Sequence, residues 1–571
     1  MGYRAPTAEM VFTASRVIGQ DRLAETERYA DATAETRDAI LGQAARMVEG
    51  VLAPLDRAGD RHPARLENGV VRTSPGFAEG YRAIAEGGWV GMTAGPEHGG
   101  MGLPHGIATI VNEMLSSACL SLSLCPLLSQ GAIEALERHA DPELRALYLP
   151  KLVSGEWTGT MNLTEPQAGS DVGALTTRAV PADDGSYRIS GQKIYISWGD
   201  HDVARNICHL VLARLPDAAP GTRGISLFMV PKYLPDADGA PGPANGVRTV
   251  SLEEKLGLHG SPTAVLEYDN ATGWLVGPAH GGMAAMFTMM NAARLGVGIE
   301  GVAIAEAALQ RAVAFALERR QGKTADGTPA IAGHADVRRM LARMAALTRA
   351  ARALCYDCAF SLDMARAGAE GEAAAHAARA AFLTPLAKAF GTDTGSEVAD
   401  LGIQVHGGMG FVEETGAAQY LRDVRVTRIY EGTNGIQAMD LVSRKLADGG
   451  AAARGLIDEV RATAGRAREA GETAMAEAVE QAARELGQTT ERMLAAEPVD
   501  RGAGAAPFLR QWALTLGAHY LVKGALEGGD EQRAMAELFV GRVLPEAAAL
   551  AREAVAGAAP LYAIAPEALA P

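Results

Sequence analysis

The sequence predicts an α+β protein, mainly α: an N-terminal helical domain, a central antiparallel β-barrel, a helical bundle domain and an additional C-terminal helical domain. Three observations predict it. Apolar residues recur at three- and four-residue spacing on both sides of a middle stretch, as amphipathic helices require. Between about Thr158 and Gly277 that spacing gives way to short apolar runs separated by Gly, Asp, Asn and Pro. At 571 residues the chain exceeds what a single core organises and divides into several domains.

Residues 1–35 read as an extension packed on the body. The N-terminal helical domain, 36–157, carries spacings such as Ile40, Ala44, Met47 and Val51, and is interrupted by the Gly-rich loop Pro96–Gly102. Its uncharged stretch 114–133 has the length of a membrane span. Five serines, Gln130 and Pro126 interrupt it, so it is expected as two buried helices with a turn at Pro126. The barrel domain, 158–278, contains the runs Lys193–Ile196, Ile207–Ala213 and Ile225–Val230. The helical bundle domain, 279–448, is broken at 321–333 and at Gly407–Gly410. Gly449–Ala453 reads as a linker, and 454–571 as the additional helical domain, with an interior break at 497–506 and an apolar tail.

Composition excludes some functions. A net charge of −15 argues against nucleic acid or an anionic membrane as partner. Five scattered cysteines form no disulfide framework, and Cys355-x-x-Cys358 stands in a helical run with no second pair, so a cytoplasmic, reducing setting is expected. Arg4, Glu9 and Arg16 leave no apolar core for a signal peptide. Gly296-Val-Gly298-Ile-Glu-Gly301 matches a dinucleotide fingerprint, but helical periodicity precedes and follows it where a strand is needed first. Those glycines are expected to permit close helix–helix contact.

The most informative segment is Arg428-Ile-Tyr-Glu-Gly-Thr-Asn-Gly-Ile-Gln437. Glu431 lies between an aromatic residue and a turn glycine, where scarce water raises a carboxylate's proton affinity, as a base acting on carbon needs. On these residues alone Glu431 reads equally as a base or as a cap for the following helix.

Four motifs in order resolve that choice: Leu163-Thr164-Glu-Pro-Gln-Ala-Gly-Ser170-Asp, Ile194-Tyr195-Ile-Ser197-Trp-Gly, Gln404-Val-His-Gly407-Gly408-Met-Gly-Phe and Tyr430-Glu431-Gly432-Thr433. Together they resemble the acyl-CoA dehydrogenases across roughly 38–446. The segment after 450 and the opening Tyr3-Arg-Ala-Pro resemble the longer bacterial branch, which includes the 3-methylmercaptopropionyl-CoA dehydrogenases of dimethylsulfoniopropionate breakdown.

The resemblance implies FAD as cofactor. Leu163, Thr164, Ser170, Tyr195 and Ser197 would contact it, with Tyr195 where the family has Trp. Thr433 and Asn434 would follow the base along the cofactor. Arg319 would reach the pyrophosphate held by a neighbouring subunit, whose adenosine end Gln404, Gly407 and Gly408 would receive, making a homodimer. Gln321-Gly322 follows Arg319 where the family places an aromatic. Ser170, Asn291, Arg294 and Gly432 would contact the acyl-CoA; Asn291 replaces the family's usual Asp. The family's second location for a base falls on Ala293, which cannot take a proton, so the resemblance assigns catalysis to Glu431. His334 falls near the family's cofactor-proximal His and reads here as a surface helix residue.

The implied function is α,β-dehydrogenation of an acyl-CoA, with 3-(methylthio)propanoyl-CoA the leading substrate and an electron-transfer flavoprotein the acceptor. Medium or long straight-chain substrates, an oxygen-using acyl-CoA oxidase, and a scaffold without cofactor are the alternatives.

Overall fold

The computed structural model describes residues 2–570. The N-terminal extension enters the core: Tyr3, and Met10, Ala14 and Val17 in and just after α1 (Thr7–Phe12), are buried. The helix α2 (Ala34–Met47) starts at Thr33, whose hydroxyl accepts the Thr36 N–H, and α3 (Asp56–Arg61) follows. A hairpin, β1 (Arg65–Glu67) with β2 (Val70–Arg72), comes next. Its Asn68-Gly69 turn has φ 51° and 78°, the left-handed pair that matches strand twist in a two-residue loop. The sequence reading overlooked this hairpin although Asn-Gly is its signal.

After α4 (Phe77–Glu86) and the Pro96–Gly102 loop come α5 (His105–His139) and α6 (Pro142–Val153). Here the expected break at Pro126 is corrected. Pro126 lies inside α5, and the non-helical residue is Cys119, φ −160° and ψ 90°. The Ser123 hydroxyl donates to Leu120 O just past the break and bonds the Ser116 hydroxyl across it, which satisfies polar groups at the kink. Among the described residues α5 is the one helix long and apolar enough to cross a membrane, and 94% of its apolar window is buried in the protein.

The central sheet joins β3 (Trp157–Asn162), β4 (Arg178–Pro181), β5 (Tyr187–Ser197), β6 (Asn206–Arg214) and β7 (Ile225–Pro231). A separate two-stranded ribbon, β8 (Tyr233–Pro235) and β9 (Pro241–Ala244), precedes β10 (Val247–Leu252) and β11 (Thr263–Val276), which complete the sheet. Its order is β10-β11-β5-β4-β6-β3, with β7 bonded to both β11 and β6. The expectation of an all-antiparallel arrangement is corrected, because β3 and β4 each pair with β6 in parallel. The long excursion between β3 and β6 lets the chain return in the same direction, which a tight hairpin cannot do.

The bundle consists of α7 (Gly282–Glu318), α8 (Ala335–Ala367) and α9 (Glu370–His406), then α10 (Gly408–Phe411), α11 (Ala417–Val424) and α12 (Asn434–Asp440). Gly296, Gly298 and Gly301 all lie within α7, which confirms them as helix-contact residues. A Cβ on Gly298 would lie 2.7 Å from Ala387 O, one on Gly301 would strike Gly391 O, and one on Gly395 would lie 2.6 Å from Gly301 O. The two longest helices therefore touch backbone to backbone.

The linker is shorter than expected: only Gly449 and Gly450 (φ 72° and 85°) turn the chain, and Ala451 already begins α13 (Ala451–Glu469), since alanine favours helix over coil. The helices α14 (Thr473–Ala495), α15 (Pro498–Ala503), α16 (Ala505–Glu527), α17 (Asp530–Arg542), α18 (Glu546–Ala554) and α19 (Ala559–Tyr562) complete the chain. This block shares the main hydrophobic core; Trp512 and Phe382 meet edge-on at 4.9 Å, and the Tyr520 hydroxyl donates to Asp357 at 2.6 Å. Replacing Gly301 with Val should cost about 1–3 kcal/mol by forcing α7 off α9. Chemical denaturation checks this, and an unchanged midpoint would refute the contact.

Candidate active site

Glu431 sits on the turn between α11 and α12 in the left-handed conformation, φ 56°, followed by Gly432 at φ 80°. A non-glycine residue held there is strained and persists only when its surroundings fix it. Three contacts do so. The Gln437 side-chain amide donates to Glu431 O and Gly432 O at 3.2 Å each, and the Tyr430 hydroxyl donates to Glu300 on α7. Arg428, three residues earlier, pairs with Asp393 of α9 at 2.7 Å.

The structure removes the capping reading of Glu431. The cap of α12 is Thr433, whose hydroxyl accepts the Ile436 N–H at 3.2 Å. Glu431 caps nothing: its Oε2 is buried with no hydrogen-bond partner, although part of the residue as a whole reaches the surface. Burial raises its pKa, Arg294 and Lys388 pull it back, and the balance is about 7. The group is thus half ionised near neutrality.

Arg294 lies on α7, buried, 3.8 Å from Asp440 of α12, which also binds Arg444 at 2.5 Å. Arg294, Asn291 and Ala293 line a cavity of about 450 Å³ between α5, α7, α8 and α9. Other parts of its wall are polar: Asn112 donates to Gln130 at 2.9 Å, and Arg366 links His105 to Glu134. Asn291 is exposed at the rim and Arg294 is buried, so the cavity runs inward from Asn291.

The first two motifs come together at the sheet. The Ile194 N–H donates to Thr164 O at 2.9 Å, and the Lys193 ammonium donates to Leu163 O at 3.0 Å. Glu165 anchors the loop beneath: its carboxylate accepts from Lys193 and from the Thr176 and Thr177 amides. Burial disfavours that charge, but the Lys193 ammonium and these donors outweigh it and hold the carboxyl well below its ordinary range. Leu163, Thr164 and Ser197 are half-buried, Ser170 is exposed, and Tyr195 is 61% exposed at φ 59°. The buried Thr158 and Thr160 hydroxyls bond to His201 and His209. Those of Thr164, Ser170, Tyr195 and Ser197 have no such partner among the described residues. An open aromatic beside unspent hydroxyls is the donor set a flavin ring needs.

The remaining predicted residues gather at the far ends of α7 and α9. Arg319, just past α7, is exposed, as are Gln404, Gly407 and Gly408, and Phe315 stacks on His406 at 4.4 Å to join the two ends. Exposed Met409, Val412 and the 87% exposed Phe411 flank them. His334 is the N-cap position of α8, with Nε2 2.7 Å from Gln321 O.

One predicted assignment changes: the Asn434 amide is spent inward on Lys388, Thr392 and Asp393 of α9. The Thr433 hydroxyl accepts the Ile436 N–H as the cap and keeps its own O–H to donate. The sequence reading missed Lys388, Asp440 and Glu300. Lys388 and Glu300 were visible as lone charges in apolar helical runs, and Asp440 only through its Arg444 spacing.

Known proteins place this arrangement. The acyl-CoA dehydrogenase N-terminal, middle and C-terminal domains match residues 21–156, 160–271 and 280–446. The chain belongs to the acyl-CoA dehydrogenase family. It is 44% identical to 3-methylmercaptopropionyl-CoA dehydrogenase of Ruegeria pomeroyi, covering 96% of this chain and 97% of that protein. It is 36% identical to a butyryl-CoA dehydrogenase of Syntrophomonas wolfei over 78% of this chain and 75% of that one. An acyl-CoA dehydrogenase of Bacillus anthracis solved with FAD shares the fold, with a TM-score of 0.72, 22% identity, and 93% and 90% of the two chains covered. The protein is therefore an oxidoreductase acting on CH–CH bonds, with FAD as its cofactor.

Two outcomes test this geometry. Folded Glu431 holds its proton more tightly than the unfolded chain, so its contribution to stability is complete below pH 4.5 and is lost as pH rises through about 7. Glu431→Gln should equal wild type at acid pH and exceed it above neutrality by about 1–3 kcal/mol, read by thermal denaturation across pH. Asp440→Asn should raise KM for acyl-CoA severalfold with kcat less affected, because Arg294 loses its anchor.

Proposed function

We propose that the protein dehydrogenates 3-(methylthio)propanoyl-CoA to the corresponding 2-enoyl-CoA, with Glu431 removing the α-proton. The observation that carries the reaction is Glu431 itself: a buried, unpartnered carboxylate on a strained turn, poised to exchange a proton at neutral pH. The relative from Ruegeria pomeroyi, matched along nearly its whole length, supports the substrate.

The cofactor would be held by Leu163, Thr164, Ser170, Tyr195 and Ser197 on one side and by the Arg319, Gln404, Gly407 and Gly408 surface of a second copy on the other. When bound, FAD supplies the hydride acceptor for the β-hydrogen. Arg294 and Asn291 would bind the CoA arm, while Ser170 and Gly432 border the substrate. The backbone N–H of Glu431 would face the thioester oxygen, where negative charge develops as the α-proton leaves. Arg294 and Lys388 hold positive charge near Glu431, which offsets part of the effect of burial and keeps a share of the base ionised near neutrality.

A homodimer is supported by the exposed Met409, Phe411 and Val412 beside the Gly407 loop. An electron-transfer flavoprotein as acceptor follows from the family reading. A cytoplasmic location, and a role in dimethylsulfoniopropionate breakdown, are supported by the five buried free cysteines and by the Ruegeria relative respectively.

Glu431→Gln should keep the flavin spectrum and acyl-CoA binding while slowing anaerobic flavin bleaching by about 10²–10⁴. Wild-type reduction rates across a panel of acyl-CoAs should peak at 3-(methylthio)propanoyl-CoA. A maximum at a long straight chain would replace that substrate, and peroxide formation without added acceptor would make the enzyme an oxidase.

A further inference from the structure

Glu300 is the lone charged residue in the apolar α7 run Leu295–Ala305 and is 1% exposed. Its Oε2 accepts the Tyr430 hydroxyl, and its Oε1 is buried with no partner among the described residues. An anionic carboxyl so placed is costly, and nothing in the reaction above uses it. Yet its one contact is the residue that directly precedes the base. Gln437 fixes the Glu431 turn from α12, and Glu300 fixes it from α7.

We propose that Glu300 is a positioning residue for Glu431: from α7 it accepts the Tyr430 hydroxyl and so holds the turn that presents the base. This rests on the reading of Glu431 as that base. The charged groups around the pair are Tyr430 on the turn, Lys388 and Asp393 on α9, Arg294 on α7, and Asp440 on α12 facing Arg294. Burial raises Glu300 to about 8, with the Tyr430 hydroxyl pulling the other way, against about 7 for Glu431.

Glu300→Gln keeps an oxygen for the Tyr430 hydroxyl and removes the acid. The resting holoenzyme, carrying ¹³C-glutamate, is read by pH-difference infrared spectroscopy of the carboxylic C=O stretch. Wild type should show the Glu300 and Glu431 titrations among its buried carboxyls. E300Q should lose the titration near 8 and keep the one near 7, with the acid limb of the flavin-reduction profile in place, because the retained oxygen still holds the turn. Loss of the titration near 7, or a displaced acid limb, would overturn the proposal.

Tyr430→Phe cuts the link without changing either acid. It should lower kcat with KM kept, and adding Glu300→Gln should lower kcat no further. Full kcat in Y430F would overturn the positioning role whether or not E300Q folds. Glu431→Gln separates the two readings: flavin reduction surviving that change would sink the base assignment, whatever the behaviour of Glu300.

Discussion

The backbone contact between α7 and α9 is the constraint on which the catalytic end of this protein depends. Gly298 and Gly301 on one helix, with Gly391 and Gly395 on the other, bring two 37-residue helices closer than any side chain would allow. That approach sets Arg294 and Glu300 of α7 beside Lys388 of α9, all beneath one turn. Without it Glu431 would have neither opposing cations nor a buried environment. Helix packing at ordinary spacing, 8–10 Å between axes, would leave room for water around the carboxylate and return it to the proton affinity of an exposed acid.

The charge around Glu431 is balanced rather than strongly biased. Burial alone would keep it protonated, and two unopposed cations would make it too weak a base. Asp440 takes part of the charge of Arg294, while Lys388 donates to Asn434 and has part of its charge offset by Asp393. The outcome is a group that changes protonation near neutrality, the range in which a general base works best. The left-handed turn adds the geometric half. Strain at Glu431 is held in place by Gln437, Tyr430 and the Arg428–Asp393 pair, so the side chain is presented without waiting for a ligand to order it.

The additional helices after Gly450 belong to the same body. Their side chains join the main core, and Tyr520 and Arg379 share the buried Asp357 carboxylate between α16, α9 and α8. Burial opposes that charge, but Arg379 overrides it and keeps Asp357 ionised, so the extra block is tied to the bundle by an interior ion pair as well as by apolar contact. The block braces α8 and α9.

Much of this was written in the sequence. Helical spacing on either side of a stretch of short strands gave the order of the regions, because periods of 3.6 and 2 residues are local properties of the chain. The four motifs named the family, and Glu431 was marked by its own neighbours. Long-range matters were decided only by the tertiary structure. Parallel pairing of β3 and β4 with β6 depends on where the chain returns after many residues. The α5 kink falls at Cys119 rather than Pro126 because serine hydroxyls can bridge the break there. Asn434 turned inward because Lys388 and Asp393, more than forty residues earlier, were there to meet it. Sequence fixes which groups are available; only the folded backbone decides which of them face one another, because electrostatic and hydrogen-bond energies depend on distances that no local pattern encodes.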